Sequence, residues 1–404
     1  MTRPVVTFGD TLRRLRTEAG LNQGDLAKLA NWSQSQISRA EQNLFNPDEA
    51  TVARLDLALN ANGQLITAYA NGTAPGAGLV HPGRDPLVFS DLLRKIHRTD
   101  VGRDTIDQLT VITEQLCCEY VSRPPDELRD DAHHQLEYVQ RLLEGSTRLG
   151  EHRELLVIAG WLSLLIGCVN YDLGLARHAE TARTAAFQLG REAGHGEIVA
   201  WSFEMSAWFA LTLGRLRSVL DYADAGIKAA PHASVAVQLA AQGAKAHARM
   251  GNPSDVRRAL DHGFRLLDGH EHPTRPDNHF VIDPTKWDFY AMDCYRLGGD
   301  NTRAAEHAQE ILRLSQRPDG SDRSPMRATE ARLTLSIVSL RDGDIDRATA
   351  WARKAFNADR KSVNTLSMVT DELHHETHKL FGDDPATNAL NDVIASFYTS
   401  ISER

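Results

Sequence analysis

Apolar residues recur at intervals of three and four along nearly the whole chain, and strand-type alternation is almost absent, so the pattern predicts an all-α protein. The spacing is sharpest over residues 9–59. Leu12, Leu15 and Ala19 predict a first helix that closes at Gly20, since glycine accepts the left-handed conformation of a helix C-terminus. Asn22 is an N-cap for a second helix with Leu26, Ala27 and Leu29 facing inward, ending at Asn31, a residue that tolerates positive φ. Ser33 caps a third helix over 34–42, with Ile37 inward and Gln34, Ser35, Ser38 and Arg39 on the opposite face. Pro47 and Asp48 open a fourth, whose Val52, Leu55, Ala58 and Leu59 complete a small core.

Two helices joined by a very short turn, the second presenting amides and a guanidinium outward, form a helix-turn-helix arrangement. Glutamine can bond adenine N6 and N7 together, and arginine guanine O6 and N7. Gln34, Ser35 and Arg39 are therefore the expected base-edge residues, with Gln36 and Ser38 beside them. Gln23, Ser33 and Asn43, at helix ends next to that face, are placed for phosphates, which set register without reading sequence. The expected partner is double-stranded DNA.

These residues resemble the Cro/phage-repressor, or XRE, family of helix-turn-helix proteins. The matching positions are Gln23, Ala27, Asn31, the anchor Ile37, the run Ser38-Arg39-Ala40-Glu41, and Pro47. Asn31 stands where glycine is more usual, and Trp32 where a smaller aliphatic is. The resemblance implies a structural ion pair between Arg16 of the first helix and Glu41 after the recognition helix.

The segment from Ala70 to Pro86, ANGTAPGAGLVHPGRDP, is rich in Gly, Pro and small residues, and predicts a flexible linker. The expected organisation is a DNA-binding domain at 1–70, a linker at 71–86 and a helical repeat domain at 87–404. Within the last, Gly174, Gly214, Gly251, Gly299 and Gly343 recur at intervals of 40, 37, 48 and 44 residues. Five residues after each stand Ala179, Val219, Val256, Ala304 and Ala348; thirteen after stand Phe187, Ile227, Phe264, Leu312 and Phe356. Ahead of the glycines, Gly167, Ala207, Ala244, Ala291 and Ser336 are small where one helix must cross another. Small at the crossing, large further along and Gly in the turn describe helical hairpins, which bury their faces by stacking into an α-solenoid. The pattern resembles tetratricopeptide repeats, with a longer spacing than that family's roughly 34 residues. Leu109, Ile112 and Leu116 predict a shared face in further hairpins between 87 and 150, and 393–398 falls in a terminal capping helix. Residues 269–285, GHEHPTRPDNHFVIDPT, are too rich in Pro and His for a helix and predict a long loop.

Composition is that of an ordinary globular protein, 42% hydrophobic and 25% charged. The N-terminal MTRPVVTFGD has no apolar signal core, and the apolar run at 155–169 is short for a membrane span, so a cytoplasmic protein is expected, without membrane partners. Cys117, Cys118, Cys168 and Cys294 lack paired spacing and read as buried small hydrophobes. Charge changes the picture more. Residues 1–70 hold seven Lys plus Arg against seven Asp plus Glu, so the remaining chain carries the whole net charge of −9. A neutral head gains little from counterion release, so specific binding should need two heads about one helical turn of DNA apart. A homodimer is therefore expected.

His374 and His378 lie one turn apart, but LHHETH is not HExxH and spacing supplies no third ligand; a solvated helix face is the better reading. His270, His272 and His279 in the loop, and His133 with His134, support a metal no better. No metal or other cofactor is expected. Trp161, Tyr171, Trp201, Phe203, Trp208 and Phe209 fall in the first helices of successive hairpins, where core filling competes with a ligand pocket. In the second reading, Trp161, Asn170, Tyr171, Trp201, Glu204, Trp208 and Arg215 form the site. No nucleophile elbow, phosphate loop or dinucleotide fingerprint occurs, and an enzyme is not expected.

A reading head, a linker and a helical array resemble the peptide-sensing, quorum-type regulators of Gram-positive bacteria of the Rgg, PlcR and PrgX kind, and actinobacterial regulators of the same domain order. The resemblance implies a homodimeric transcription regulator, such as a repressor, whose DNA binding responds to a peptide or small-molecule effector on the repeat domain. The alternative is a repeat domain that docks proteins and senses no small ligand.

Overall fold

The computed structural model describes residues 7–45, 47–72, 99–271, 273–282, 284–358 and 360–402. The chain divides into two compact units, Met1–Thr99 and Asp100–Arg404. Every regular element among the described residues is a helix, apart from an isolated bridge between Gln316 and Asp322.

The first unit contains α1 (Phe8–Glu18), α2 (Gln23–Leu29), α3 (Gln34–Glu41), α4 (Glu49–Ala58) and α5 (Gln64–Gly72). Helices α1 to α3 each begin with a reciprocal capping box, through Thr7 and Asp10, Asn22 and Asp25, and Ser33 and Gln36. Asn31 and Asn43 end α2 and α3 with φ of 50° and 56°. The core joins Leu12, Leu15, Leu26, Ile37, Val52, Leu55 and Leu65. Leu29, expected to face inward, is instead 61% exposed, and Ala30 is buried in its place because the helix ends before Leu29 can turn under. Helix α5 adds Leu65 beyond the expected four-helix core; the buried Asp56 carboxylate caps it by accepting from the backbone N–H of Gly63 (2.7 Å) and Leu65 (2.9 Å). Of the linker expected at 71–86, Asn71 and Gly72 end α5 and the remainder lies outside the described residues.

The second unit runs through α6 (Arg103–Glu119), α7 (Pro125–Glu144), α8 (Leu149–Asp172), α9 (Ala176–Glu192), α10 (Gly196–Thr212), α11 (Leu216–Ala229), α12 (Val235–Arg249), α13 (Pro253–Asp268), α14 (Pro284–Leu297), α15 (Asn301–Ser315), α16 (Pro325–Arg341), α17 (Ile345–Phe356), α18 (Val363–Phe381), a short 3-10 turn at Pro385–Thr387 and α19 (Asn388–Ser402). These are consecutive helical hairpins. The turn glycines Gly174, Gly214, Gly251, Gly299 and Gly343 all have φ between 69° and 81°, a conformation that side chains resist. At the crossings, Ala207, Ala244, Ala291 and Ser336 are buried, and a Cβ on Gly167 would lie 2.6 Å from Met205 Cε. The large residues thirteen after each glycine are not core: Phe264 is 56% exposed, and Phe187, Ile227, Leu312 and Phe356 are half-buried.

Two further expectations change. On α6 the buried face is Ile106, Leu109, Thr113, Leu116 and Cys117, while Ile112 is 39% exposed. Helix α8 is longer than the apolar run implied; by length and composition it could cross a membrane, but 78% of its apolar window is buried in the unit. Of the cysteines, Cys118 is only half-buried and accepts from Arg275 Nη2 at 3.3 Å.

Candidate functional site

In the head, the face of α3 opposite Ile37 presents Gln34, Ser35 and Arg39 as exposed side chains, with Ser38 half-buried beside them. The Arg39 guanidinium lies 6.0 Å from the centroid of Phe45, whose ring sits 5.8 Å from Trp32. That aromatic shelf was not anticipated; its sequence signal was a pair of large apolar residues flanking the recognition helix.

The other expected DNA contacts are drawn into the domain's own bonding. Gln36 Oε1 accepts from the Ser33 backbone N–H (3.2 Å) and hydroxyl (2.8 Å), and Ser33 Oγ accepts from the Gln36 N–H, so this pair fixes the start of α3. Ser33 is exposed there, with its hydroxyl also 3.1 Å from Ser35 Oγ. The Gln23 amide, expected at a phosphate, donates instead to Glu41 Oε2 at 2.8 Å. Asn43, exposed at the end of α3, likewise bonds within the domain, accepting from the Gly9 N–H (2.9 Å) and donating to Thr7 Oγ1 (2.8 Å). The Asn43 carboxamide, at a positive-φ helix end, has the Gly9 backbone donor within reach, and the Gln23 amide has the Glu41 carboxylate.

Glu41 gathers these elements. Its buried carboxylate accepts from Arg16 Nε at 2.5 Å and Nη2 at 3.1 Å, while Arg16 Nη1 donates to the Leu21 carbonyl at 2.8 Å. Burial pushes the Glu41 carboxyl up, but the hydrogen bonds from Arg16 and Gln23 and the charge of Arg16 outweigh it and leave it below its usual value. The carboxylate thus locks α1, the start of α2 and the end of α3 into one frame.

In the repeat unit the expected ligand residues do not assemble into one site. Trp201 is fully buried core, against Phe280 at 5.2 Å. Trp161 meets the same Phe280 at 5.4 Å. Asn170 is buried beside a depression lined by His133 and His178. Tyr171, stacked on Phe209 at 3.9 Å, shares a separate groove with the exposed Arg215. Glu204 and Trp208 face a common cavity, of about 130 Å³, and the Trp208 ring lies 4.7 Å from that of Tyr171. Successive first helices bring Tyr171, Trp208 and Phe209 together, while Trp161 and Trp201 gather around the loop residue Phe280.

That cavity lies where the first helices of the hairpins converge. Trp208 of α10, Gln238, Gln242 and Lys245 of α12, Tyr290 of α14, Glu330 of α16 and Thr365 of α18 line it. The chain returns there: α18 packs on α8 and α10, and the Trp208 indole donates to Thr365 Oγ1 at 3.0 Å. The long loop before α14 forms part of the wall. Its Phe280 and Ile282 are buried, the His279 N–H donates to the Cys117 carbonyl at 3.1 Å, and Lys286 Nζ donates to the carbonyls of Asn278, His279 and Val281. Of its other histidines, His270 is not part of this wall and His272 lies outside the described residues. No group of three His, Cys, Asp or Glu suited to a metal ion occurs among the described residues. The sequence signal for the cavity was a stripe of Gln238, Gln242 and Lys245, spaced four and three, inside an alanine-rich helix.

Residues 7–68 match a family model described as a helix-turn-helix domain. No curated protein matches the chain.

Proposed function

We infer from the helix-turn-helix domain, followed by an all-helical region of hairpins, that the chain binds DNA and regulates transcription. We propose that the protein is a sequence-specific regulator that acts as a homodimer, with DNA binding modulated by an effector held in the repeat unit. The observation that carries this reading is the face of α3, where Gln34, Ser35 and Arg39 are exposed on a helix whose frame is tied by Ser33, Gln36 and Glu41. Gln34 and Arg39 supply the base-edge donors and acceptors, and Ser35 the shorter contact at the helix N-terminus. Ser33 and the first N–H groups of α3 sit where a phosphate would approach.

The neutral charge of the head supports pairing. With little counterion release available, affinity has to come from two recognition helices on half-sites about 34 Å apart. The cavity of the repeat unit, with Glu204, Gln238 and Gln242 among largely apolar walls, supports the effector. An effector preferring one conformation of the repeats by ~3 kcal/mol would shift the DNA-competent population roughly 150-fold.

Selection of bound duplexes from a random pool by the full chain tests the reading. An enriched inverted repeat with half-sites one turn apart is the expected result; uniform recovery of all sequences would overturn it.

A further inference from the structure

The cavity of the repeat unit carries an imbalance between donors and acceptors. Gln242 donates its Nε2 to Glu204 Oε1 at 2.8 Å, and Gln238 donates to the same oxygen at 2.7 Å while accepting from the Tyr290 hydroxyl at 2.6 Å. This chain orients both amides, so Gln242 turns its carbonyl oxygen away from Glu204. That oxygen, Gln242 Oε1, is buried without a hydrogen-bond partner, and so is Glu330 Oε2. Both residues are only 6% exposed, and both line the cavity. A buried acceptor left unpaired costs about 1–3 kcal/mol, so two on one cavity call for an occupant that donates.

Three of the neighbouring cations are committed elsewhere, and Arg327 also lines the cavity. Lys245 Nζ lies 2.6 Å from Asp293, Arg296 bonds Asp293 and Glu372, and Lys286 is held by three backbone carbonyls. The remaining walls combine the rings of Tyr120, Trp208, Phe289 and Tyr290 with the aliphatic Val121, Leu211, Met326 and Met368. Unpaired acceptors beside the Trp208 ring suit an ammonium group, as Phe289 and Tyr290 already suit that of Lys245, whose Nζ lies 4.9 and 5.5 Å from their centroids. The volume of about 130 Å³ is close to the ~150 Å³ of a cavity that takes up benzene, so the occupant is on the order of six heavy atoms.

We propose that this cavity binds a small organic cation with N–H donors, a primary ammonium compound, with its N–H groups on Glu330 Oε2 and Gln242 Oε1 and its carbon chain against Trp208 and Tyr290. The assignment rests on the repeat unit being the effector-sensing part, and names the effector's chemistry.

The electrostatics of Glu330 add a signature. Burial, then the charge of Asp293, raise its carboxyl to about 8, against the pull of Lys245 and Arg296, with Asp172 adding to the rise. Glu204 and Arg327 also face the cavity. At pH 7 Glu330 therefore holds its proton for most of the time, and an ammonium bound to it favours the carboxylate. Binding should release a proton.

Protonated n-butylamine is the probe, titrated into the full chain at constant ionic strength, with tetramethylammonium and n-butyrate as controls. The expected result is a saturable rise in melting temperature with butylamine, an affinity at least about tenfold weaker for tetramethylammonium, and a similar loss in Glu330→Gln. Calorimetry in two buffers of different ionisation enthalpy should show proton release at pH 7 on the unsubstituted protein, a readout that stands even where the variant folds poorly. No saturable shift, an equal shift with butyrate, or binding without proton release would overturn the proposal. No DNA is present in these measurements, so their failure leaves the regulator reading standing, and failure of duplex selection leaves amine binding standing.

Discussion

The guanidinium of Arg360 donates to the carboxylate of Asp172 at 2.8 Å across 188 residues of sequence. Both side chains are buried; the Tyr120 hydroxyl donates to the same oxygen at 2.6 Å, and Arg360 Nε reaches the Tyr120 carbonyl at 3.3 Å. This cluster ties α6, the end of α8 and the entry to α18 together, and so closes the hairpin array around its central cavity. Arg360→Ala leaves Asp172 buried without its cation. It should destabilise the protein by about 3–5 kcal/mol, read as a fall in the melting transition of the repeat unit with the head's transition unmoved. An unchanged repeat transition would mean the array holds its closure without this pair.

The ion pair of the head has a pH signature. The folded-state pKa of Glu41 lies below its usual 4.5. Its contribution to stability is therefore full above that value and is lost as pH falls through the depressed folded value. Glu41→Ala should destabilise the head by about 1.5–3 kcal/mol at pH 7 and flatten its acid-induced loss of stability. Melting of the head followed from pH 7 down to below the folded value checks both; parallel curves for the two proteins would remove Glu41 from the account.

Base reading and frame holding should separate by substitution. Gln34→Ala and Arg39→Ala, at exposed positions of α3, should each cost ~1–3 kcal/mol in binding the selected duplex and relax preference at single base pairs, with melting unchanged. A uniform loss across all duplexes would assign these side chains to phosphates instead.

Asn43→Ala is the contrast. Its amide bridges the Gly9 N–H and Thr7 Oγ1, and its backbone adopts a φ of 56° that alanine resists. The head should lose about 1–3 kcal/mol in stability, while the salt dependence of DNA binding keeps its slope. A smaller slope with unaltered melting would return Asn43 to the phosphate backbone.

Phe280 tests the loop. Its ring packs between Trp161 and Trp201, inside the array, although no helix contains it. Phe280→Ala should destabilise the repeat unit by about 3–5 kcal/mol, the penalty of an emptied aromatic site, as measured by denaturant unfolding. A change below 1 kcal/mol, the order of a surface substitution, would show the loop to be a dispensable insertion.

The helical class, the capped short helices of the head and the five turn glycines were legible in the sequence because each depends on neighbours within a few residues. Gly174 or Asn22 acts on its own turn, and nothing distant has to be known. The ranking of exposed and buried residues at helix ends was less secure: Leu29 and Ile112 have helical spacing, yet a helix that stops or rotates by a fraction of a turn moves them into solvent. What only the tertiary structure decided is which helices meet. Gln242 and Glu330 stand far apart in the chain, and neither has a motif around it; they share a cavity because each hairpin rotates on the last and α18 returns to α8 and α10. The burial that leaves their oxygens unpaired is a property of that closed arrangement, set by packing across hundreds of residues, which local periodicity does not encode.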